Sequence, residues 1–350
     1  MFLFRADGNE KVGTGHIMRC LSIADSLKRK GEESVFVSAD DKMKMLIEKR
    51  GYECIVLHTS FDNMEAELPA LKELAAFKSA SVVIIDSYYV TDSYFSFIGE
   101  SKKNVYIDDR TSDAFETDVL INYNVFADPE KYKNIYKNEN IKEPEFILGP
   151  EYAPLRKEFG IKKERGIKEN ADNILIMTGG ADPTHVAPRL AQKIIDDTDP
   201  KALSDIRFHF VIGSMSTDYE KMTELGDRSN GKIEIHRNVT DMKSLMEDCD
   251  MAVSAAGSTL YELCACAVPT VTYVLADNQI PAEKAFLERG AMLSAGDARE
   301  GDIFYDRLYD RIKNLIGDPS ERARLSMSAA GITDGKGAER IADKLIEMAD

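Results

Sequence analysis

The chain is punctuated by short apolar runs that each stop on a polar residue. Val82-Val83-Ile84-Ile85 stops on Asp86, Val105-Tyr106-Ile107 on Asp108-Asp109, and Val119-Leu120-Ile121 on Asn122-Tyr123-Asn124. Runs this short do not make buried helices, and they lack the alternation of a sheet with one wet face, so they read as strands buried on both sides. Between such runs the periodicity is helical, as in Ile17, Cys20, Leu21, Ala24 and Leu27 with Gly31 as the stop. Strand, helix and strand in this order form parallel, right-handed units. Polar residues at the strand ends then lie along the carboxyl edge, where open α/β sheets hold ligands.

The alternation predicts strands at the N-terminal apolar run, 34–38, 54–57, 81–85, 104–107 and 119–122, with helices over 42–50 and 64–78. A charged, glycine-bounded stretch, Gly160–Asn170, then interrupts it and reads as a linker. Strands resume at 173–177, 207–211, 233–236, 251–255 and 270–273, with helices near 185–195, 242–247 and 258–267. The expected fold is therefore α/β, two Rossmann-like domains facing across a cleft, at 1–160 and 171–350 with 161–170 between them. A final amphipathic segment, Glu339–Met348, is expected to pack across both domains or to cap the second.

A chain of 350 residues, 43% apolar, can bury two cores. Its net charge of −16 argues against polyanionic partners, so neither nucleic acid nor membrane insertion is expected. Five cysteines without metal-ligand spacing read as reduced thiols of a cytoplasmic protein, expected as a monomer without cofactor or metal. Cys264 and Cys266 are two apart on an expected helix and point to different sides. His58, His209 and His236 fall in or beside strands without a partner motif and are expected to pack or lie at the surface, whereas His185, at a helix start, is a candidate phosphate contact.

Two stretches carry chemistry. In the first, Gly13-Thr14-Gly15-His16 follows the N-terminal strand and opens a helix. Helix-start amides attract anions and disfavour an added proton, so a neutral His16 beside an anion-friendly loop suits proton abstraction on a charged substrate. Other readings are a structural His16 and half of a dinucleotide fingerprint, although Met18 occupies the third glycine's place. No P-loop pattern occurs. In the second, Gly257-Ser258-Thr259 turns from strand to helix with Glu262 one turn on. This suits a diphosphate on the turn and a ribose diol on the carboxylate, or merely a helix cap. Thr178-Gly179-Gly180 and Asp277-Asn278-Gln279 add glycine or polar loops after strands of the same domain.

Taken together, these stretches resemble the UDP-sugar hydrolases of pseudaminic acid biosynthesis, relatives of the glycosyltransferase that adds N-acetylglucosamine to peptidoglycan lipid I. The resemblance covers most of the chain. It rests on Arg5-Ala6-Asp7, Gly13 through Arg19, Asp86-Ser87-Tyr88, Ile107-Asp108-Asp109, Leu120 through Asn124, Gly149 through Arg156, Thr178 through Asp182 and Ser254 through Glu262. It implies the two-domain glycosyltransferase-B scaffold and hydrolysis of UDP-2,4-diacetamido-2,4,6-trideoxy-β-L-altropyranose to UDP and free sugar. By that resemblance His16 is the base that activates water and Tyr88 helps to orient the sugar. Arg5, Asp7, Gly13, Thr14 and Gly15 would line the substrate in the first domain. In the second, Gly257, Ser258 and Thr259 would hold the diphosphate, Glu262 the ribose and the Val239 backbone the uracil, with Gln279 toward sugar or phosphates and Gly179, Gly180 and Asn278 as further substrate contacts. Some members carry asparagine before the glutamate, and here that position is Tyr261, which leaves the sugar contacts open. The chain is also similar to spore-coat polysaccharide proteins of the same family, which leaves the sugar open as well.

Overall fold

The computed structural model describes residues 1–9, 11–161, 164–197, 205–213 and 215–350. They form two compact units, Met1–Lys157 with Gly335–Asp350, and Glu158–Asp334. In the first unit seven strands, β1 (Phe2–Ala6), β2 (Ser34–Ser38), β3 (Glu53–Val56), β4 (Val82–Asp86), β5 (Lys103–Ile107), β6 (Val119–Asn122) and β7 (Glu145–Leu148), make a sheet of order β3-β2-β1-β4-β5-β6-β7. All its pairings are parallel. Every residue of β1 and β4 is buried, as apolar runs covered by helices on both faces should be. The chain winds outward from β1 to β3 and then returns to set β4 beside β1, with Ala6 opposite Asp86. That reversal is the switch point at which open sheets part their loops.

The second unit repeats the plan with β8 (Asn173–Met177), β9 (Arg207–Ile212), β10 (Ile233–Arg237), β11 (Met251–Ala255), β12 (Thr270–Val274) and β13 (Met292–Asp297), ordered β10-β9-β8-β11-β12-β13. Its switch point lies between β8 and β11, where Met177 faces Ser254. Gly213, just past β9, has to be glycine, because a Cβ there would stand 2.2 Å from the Gly180 carbonyl oxygen. The two loops at the carboxyl edge are thus pressed together.

Three expectations are corrected. The segment read as one helix over 64–78 is a 3₁₀ turn (Met64–Glu67) and two short helices (Leu68–Glu73, Ala75–Ser79), parted where Leu74 adopts extended backbone. The described part of the expected 161–170 linker is bound to the second unit. Arg165 donates to the carbonyls of Met246 (2.7 Å), Cys249 (2.6 Å) and Cys266 (3.1 Å), and Arg322 to those of Lys168 and Glu169. The final helix, Gly337–Ala349, belongs to the first unit and not to the expected 171–350 domain. Its Ile341, Ala342 and Leu345 are buried, it packs on the helix Gly15–Arg29, and Lys30 pairs with Asp343 at 2.6 Å. Gly337 admits the contact with the turn Pro150–Tyr152, since a Cβ there would meet Tyr152 and Ala153 backbone at 2.3 Å.

Candidate active site

The helix Gly15–Arg29 starts directly after a tight loop in which Asn9 and Gly13 exchange backbone hydrogen bonds and Asn9 Oδ1 accepts from the amides of Lys11 and Val12. Gly13 sits at φ +75°, which closes the loop at little cost. Thr14 makes no side-chain cap to the helix and the helix's first turn holds no acidic residue, so its leading amides are not neutralised locally. Gly15 is exposed, while Gly13 and Thr14 are half-buried.

His16 points from this first turn to the end of β4, where its Nδ1 lies 2.5 Å from Asp86 Oδ1. Arg19, one turn further along the same face, grips Asp86 with Nε on Oδ2 and Nη2 on Oδ1, both at 2.5 Å. Burial alone would raise the Asp86 carboxyl, but the charges of Arg19 and His16 and their hydrogen bonds outweigh it and hold it well below the usual carboxylate range. An ionised carboxylate only accepts, so at 2.5 Å the Nδ1 atom must carry the proton. In the neutral ring the lone pair is then on Nε2, and no hydrogen bond to that nitrogen is present among the described residues. The ring lines a small recess together with Asp7, Val12, Phe61, Asp86, Ser87, Tyr88 and Tyr89.

Tyr88 packs edge-on to His16, ring centroids 4.6 Å apart, and its hydroxyl donates to Asp109 Oδ2 at 3.0 Å. Burial, followed by the Asp109 charge, pushes the phenol far above its ordinary range, which keeps Tyr88 a neutral donor to Asp109. Arg19 completes the ring of contacts by donating Nη1 to Asp109 Oδ2 (2.9 Å) and to Tyr123 Oη (3.0 Å). One guanidinium therefore ties three strand ends together.

Arg5 is corrected as a substrate contact. It is fully buried, with Nε and Nη2 on Glu67 at 2.6 and 2.7 Å and Nη1 on Asp7 at 2.5 Å, while Tyr94 donates to the same Glu67. Its guanidinium is engaged by these carboxylates and has no exposed surface. Asp7 does edge the recess, but both its oxygens are engaged, one by Arg5 and the other by the Ala39 amide at 2.7 Å. Its work is to clip the end of β1 to the end of β2.

In the second unit the expected contacts all follow strands of one sheet. Gly179, at φ +81°, and Gly180 leave β8 exposed, and Gly257 follows β11 with open space around it. Ser258 is exposed and makes no side-chain cap to the helix Thr259–Ala265, so the reading of this turn as a mere Ser258 cap fails. Glu262 and Thr259 are half-buried, and Tyr261 is buried with its ring 5.2 Å from Phe286. Val239 is half-buried just beyond β10. Asn278 is exposed, while Gln279 turns its Oε1 back to accept from the Leu275 amide at 2.8 Å. His185, considered for phosphate, is held by Asp218 at 2.8 Å. No convergent set of three His, Cys, Asp or Glu ligands lies at either of these places among the described residues.

Two parallel-sheet α/β units built in this way are the fold of the GT-B glycosyltransferases. Residues 174–323 match the glycosyltransferase family 28 C-terminal domain. MurG of Acinetobacter baumannii is superposable over 99% of either chain, with a TM-score of 0.65 at 14% identity. The spore coat polysaccharide biosynthesis protein SpsG of Bacillus subtilis is 23% identical over 96% of this chain and 95% of its own. An uncharacterized protein of Methanocaldococcus jannaschii is 27% identical over 79% of this chain, which spans 56% of that protein's length. No helix among the described residues is long and apolar enough to cross a membrane.

Proposed function

We infer that this chain is a nucleotide-sugar hydrolase that transfers the glycosyl group of a UDP-linked 2,4-diacetamido-2,4,6-trideoxy sugar to water, as in pseudaminic acid biosynthesis. The buried Asp86–His16 pair at the first switch point carries the reading, because it fixes an imidazole with a free Nε2 in a recess. In the reaction His16 Nε2 takes a proton from water as the water oxygen bonds to the anomeric carbon. The bond from that carbon to the diphosphate oxygen breaks, and its electron pair leaves with UDP. A base so placed contributes about 10²–10⁴-fold. Asp86 holds the tautomer and stabilises the imidazolium that forms. Amides of the glycine turns after β8 and β11 suit the charge that grows on the departing diphosphate, so the chemistry calls for no metal.

The match to a glycosyltransferase domain favours a second reading, in which the same base deprotonates an acceptor hydroxyl. An assay in ¹⁸O-labelled water, with UDP-sugar and no acceptor, separates the two. The expected result is turnover with inversion and label in the new sugar hydroxyl, read before exchange with solvent. Label in UDP means attack at phosphorus, and no turnover without acceptor means a transferase.

The ribose assignment is tested on its own. Replacing Glu262, which stands one turn into the helix after the Gly257 turn, by alanine is expected to weaken UDP more than pyrophosphate, since only UDP has a diol to lose. Calorimetric titration with equal losses for both would remove Glu262 from the ribose site.

A further inference from the structure

The second unit carries a side-chain cluster that the reaction above does not use. On β9 and β10, Phe208, Phe210 and Ile212 face the core, so the alternate positions turn to the opposite face of the sheet. There His209 stands opposite Glu234 in the parallel register, and His236 follows Glu234 by two residues on the same side. The two histidines, which carry no partner motif in the sequence and are expected from it to pack or lie at the surface, thus meet each other and a carboxylate.

The separations are informative. His209 Nδ1 is 3.1 Å from His236 Nε2, and the Glu234 oxygens are 3.5 Å from the former and 3.6 Å from the latter. The carboxylate distances are long for hydrogen bonds. Two ligands on one tetrahedral ion with bonds of about 2.0–2.1 Å lie about 3.3 Å apart, close to the spacing of the two imidazole nitrogens and to that of each from its nearer Glu234 oxygen, Oε2 for His209 and Oε1 for His236. The tautomer agrees, because His209 Nε2 lies 3.1 Å from Asn173 Oδ1 on β8 and donates to it, which leaves Nδ1 with its lone pair toward the other two groups. A hydrogen-bonded partner behind the ligating imidazole is the usual support of a metal-bound histidine.

We propose that His209 Nδ1, His236 Nε2 and the Glu234 carboxylate form a binding site for a divalent first-row metal ion, best fitted to Zn²⁺. Two imidazoles and one carboxylate are a borderline donor set that suits zinc, with a water as the fourth ligand. The ion ties β10, the edge strand of its sheet, to β9, and through Asn173 to β8. Its role is structural: it adds a side-chain staple to an edge strand that pairs through a backbone ladder on one side only.

The test uses the full chain after treatment with chelator, titrated with Co²⁺ and read by the visible bands of tetrahedral Co²⁺, followed by displacement with Zn²⁺. One ion per chain is expected, with Zn²⁺ displacing Co²⁺ and raising the melting temperature. Glu234→Gln, at a half-exposed carboxylate whose loss leaves the core intact, and His236→Ala should each weaken binding by at least ~10-fold and abolish the thermal shift. Absence of a tetrahedral Co²⁺ spectrum overturns the site, as does binding that both variants leave unchanged. Binding and melting are the readouts, so the result stands whether or not the chain hydrolyses UDP-sugars.

Discussion

Replacing His16 by asparagine is expected to cut turnover by ~10²-fold or more while leaving UDP affinity within a few-fold of the parent. The imidazole lies at the end of β4 in the first unit, and the loops suited to the diphosphate follow strands of the second. Loss of the base therefore strips the step that moves the proton without touching the groups that hold the nucleotide. Asparagine keeps a donor near Asp86 and fills much of the same space, which limits the structural damage. Single-turnover rates at saturating UDP-sugar and calorimetric titration with UDP measure the two effects separately. Equal turnover in variant and parent would exclude His16 as the base.

Changing Asp86 to asparagine is expected to be at least as damaging, by ~10²–10⁴-fold in turnover, because the amide no longer holds the Nδ1–H tautomer or offsets the charge of the imidazolium. The same change takes from Arg19 one of its two carboxylate partners, the one its guanidinium meets in two 2.5 Å contacts, and leaves it Asp109, so a loss of stability accompanies it. The pH dependence identifies the origin of that loss. The folded carboxyl titrates below its unfolded value, so its contribution is complete at neutral pH. It begins to fade as the pH falls through the ordinary range near about 4 and is lost further down, toward the depressed folded value. Melting temperatures should thus differ most between parent and variant at pH 7 and converge in acid. A difference that grows on acidification would contradict the ionised pair, and full turnover in the variant would remove Asp86 from the mechanism.

Parts of this site are legible in the sequence because their signals are local. A glycine loop followed by His16 at a helix start, and an apolar run halting on Asp86, are each visible within a few residues. Their contact is not, since it joins positions 70 apart. Arg19 was within reach, standing one helical turn from His16 on the same face, yet its partners Asp86, Asp109 and Tyr123 come from three different strand ends. Arg5 shows the converse error. The resemblance implied a substrate contact for it, whereas Glu67, 62 residues away, neutralises it inside the first unit.

The sequence by itself determined that the chain folds as two parallel α/β units, because the lengths of apolar runs and the period of the helices follow from backbone geometry and need no knowledge of neighbours. It did not reveal β7 and β13, whose burial is broken and whose residues, as in Met292-Leu293-Ser294-Ala295-Gly296-Asp297, mix polar and small side chains at or near a sheet edge. Only the tertiary structure decided what covers each apolar face. The last helix advertises an apolar stripe that fits any sheet, and it lies in the first unit because Gly337 admits the Tyr152 backbone and Asp343 meets Lys30. The described part of the charged segment after Gly160 is tied down because Arg165 finds three carbonyls of the second unit. The physical reason is common to all of these: periodicity encodes that a face is buried, and distance-dependent packing and charge pairing between remote residues decide against what.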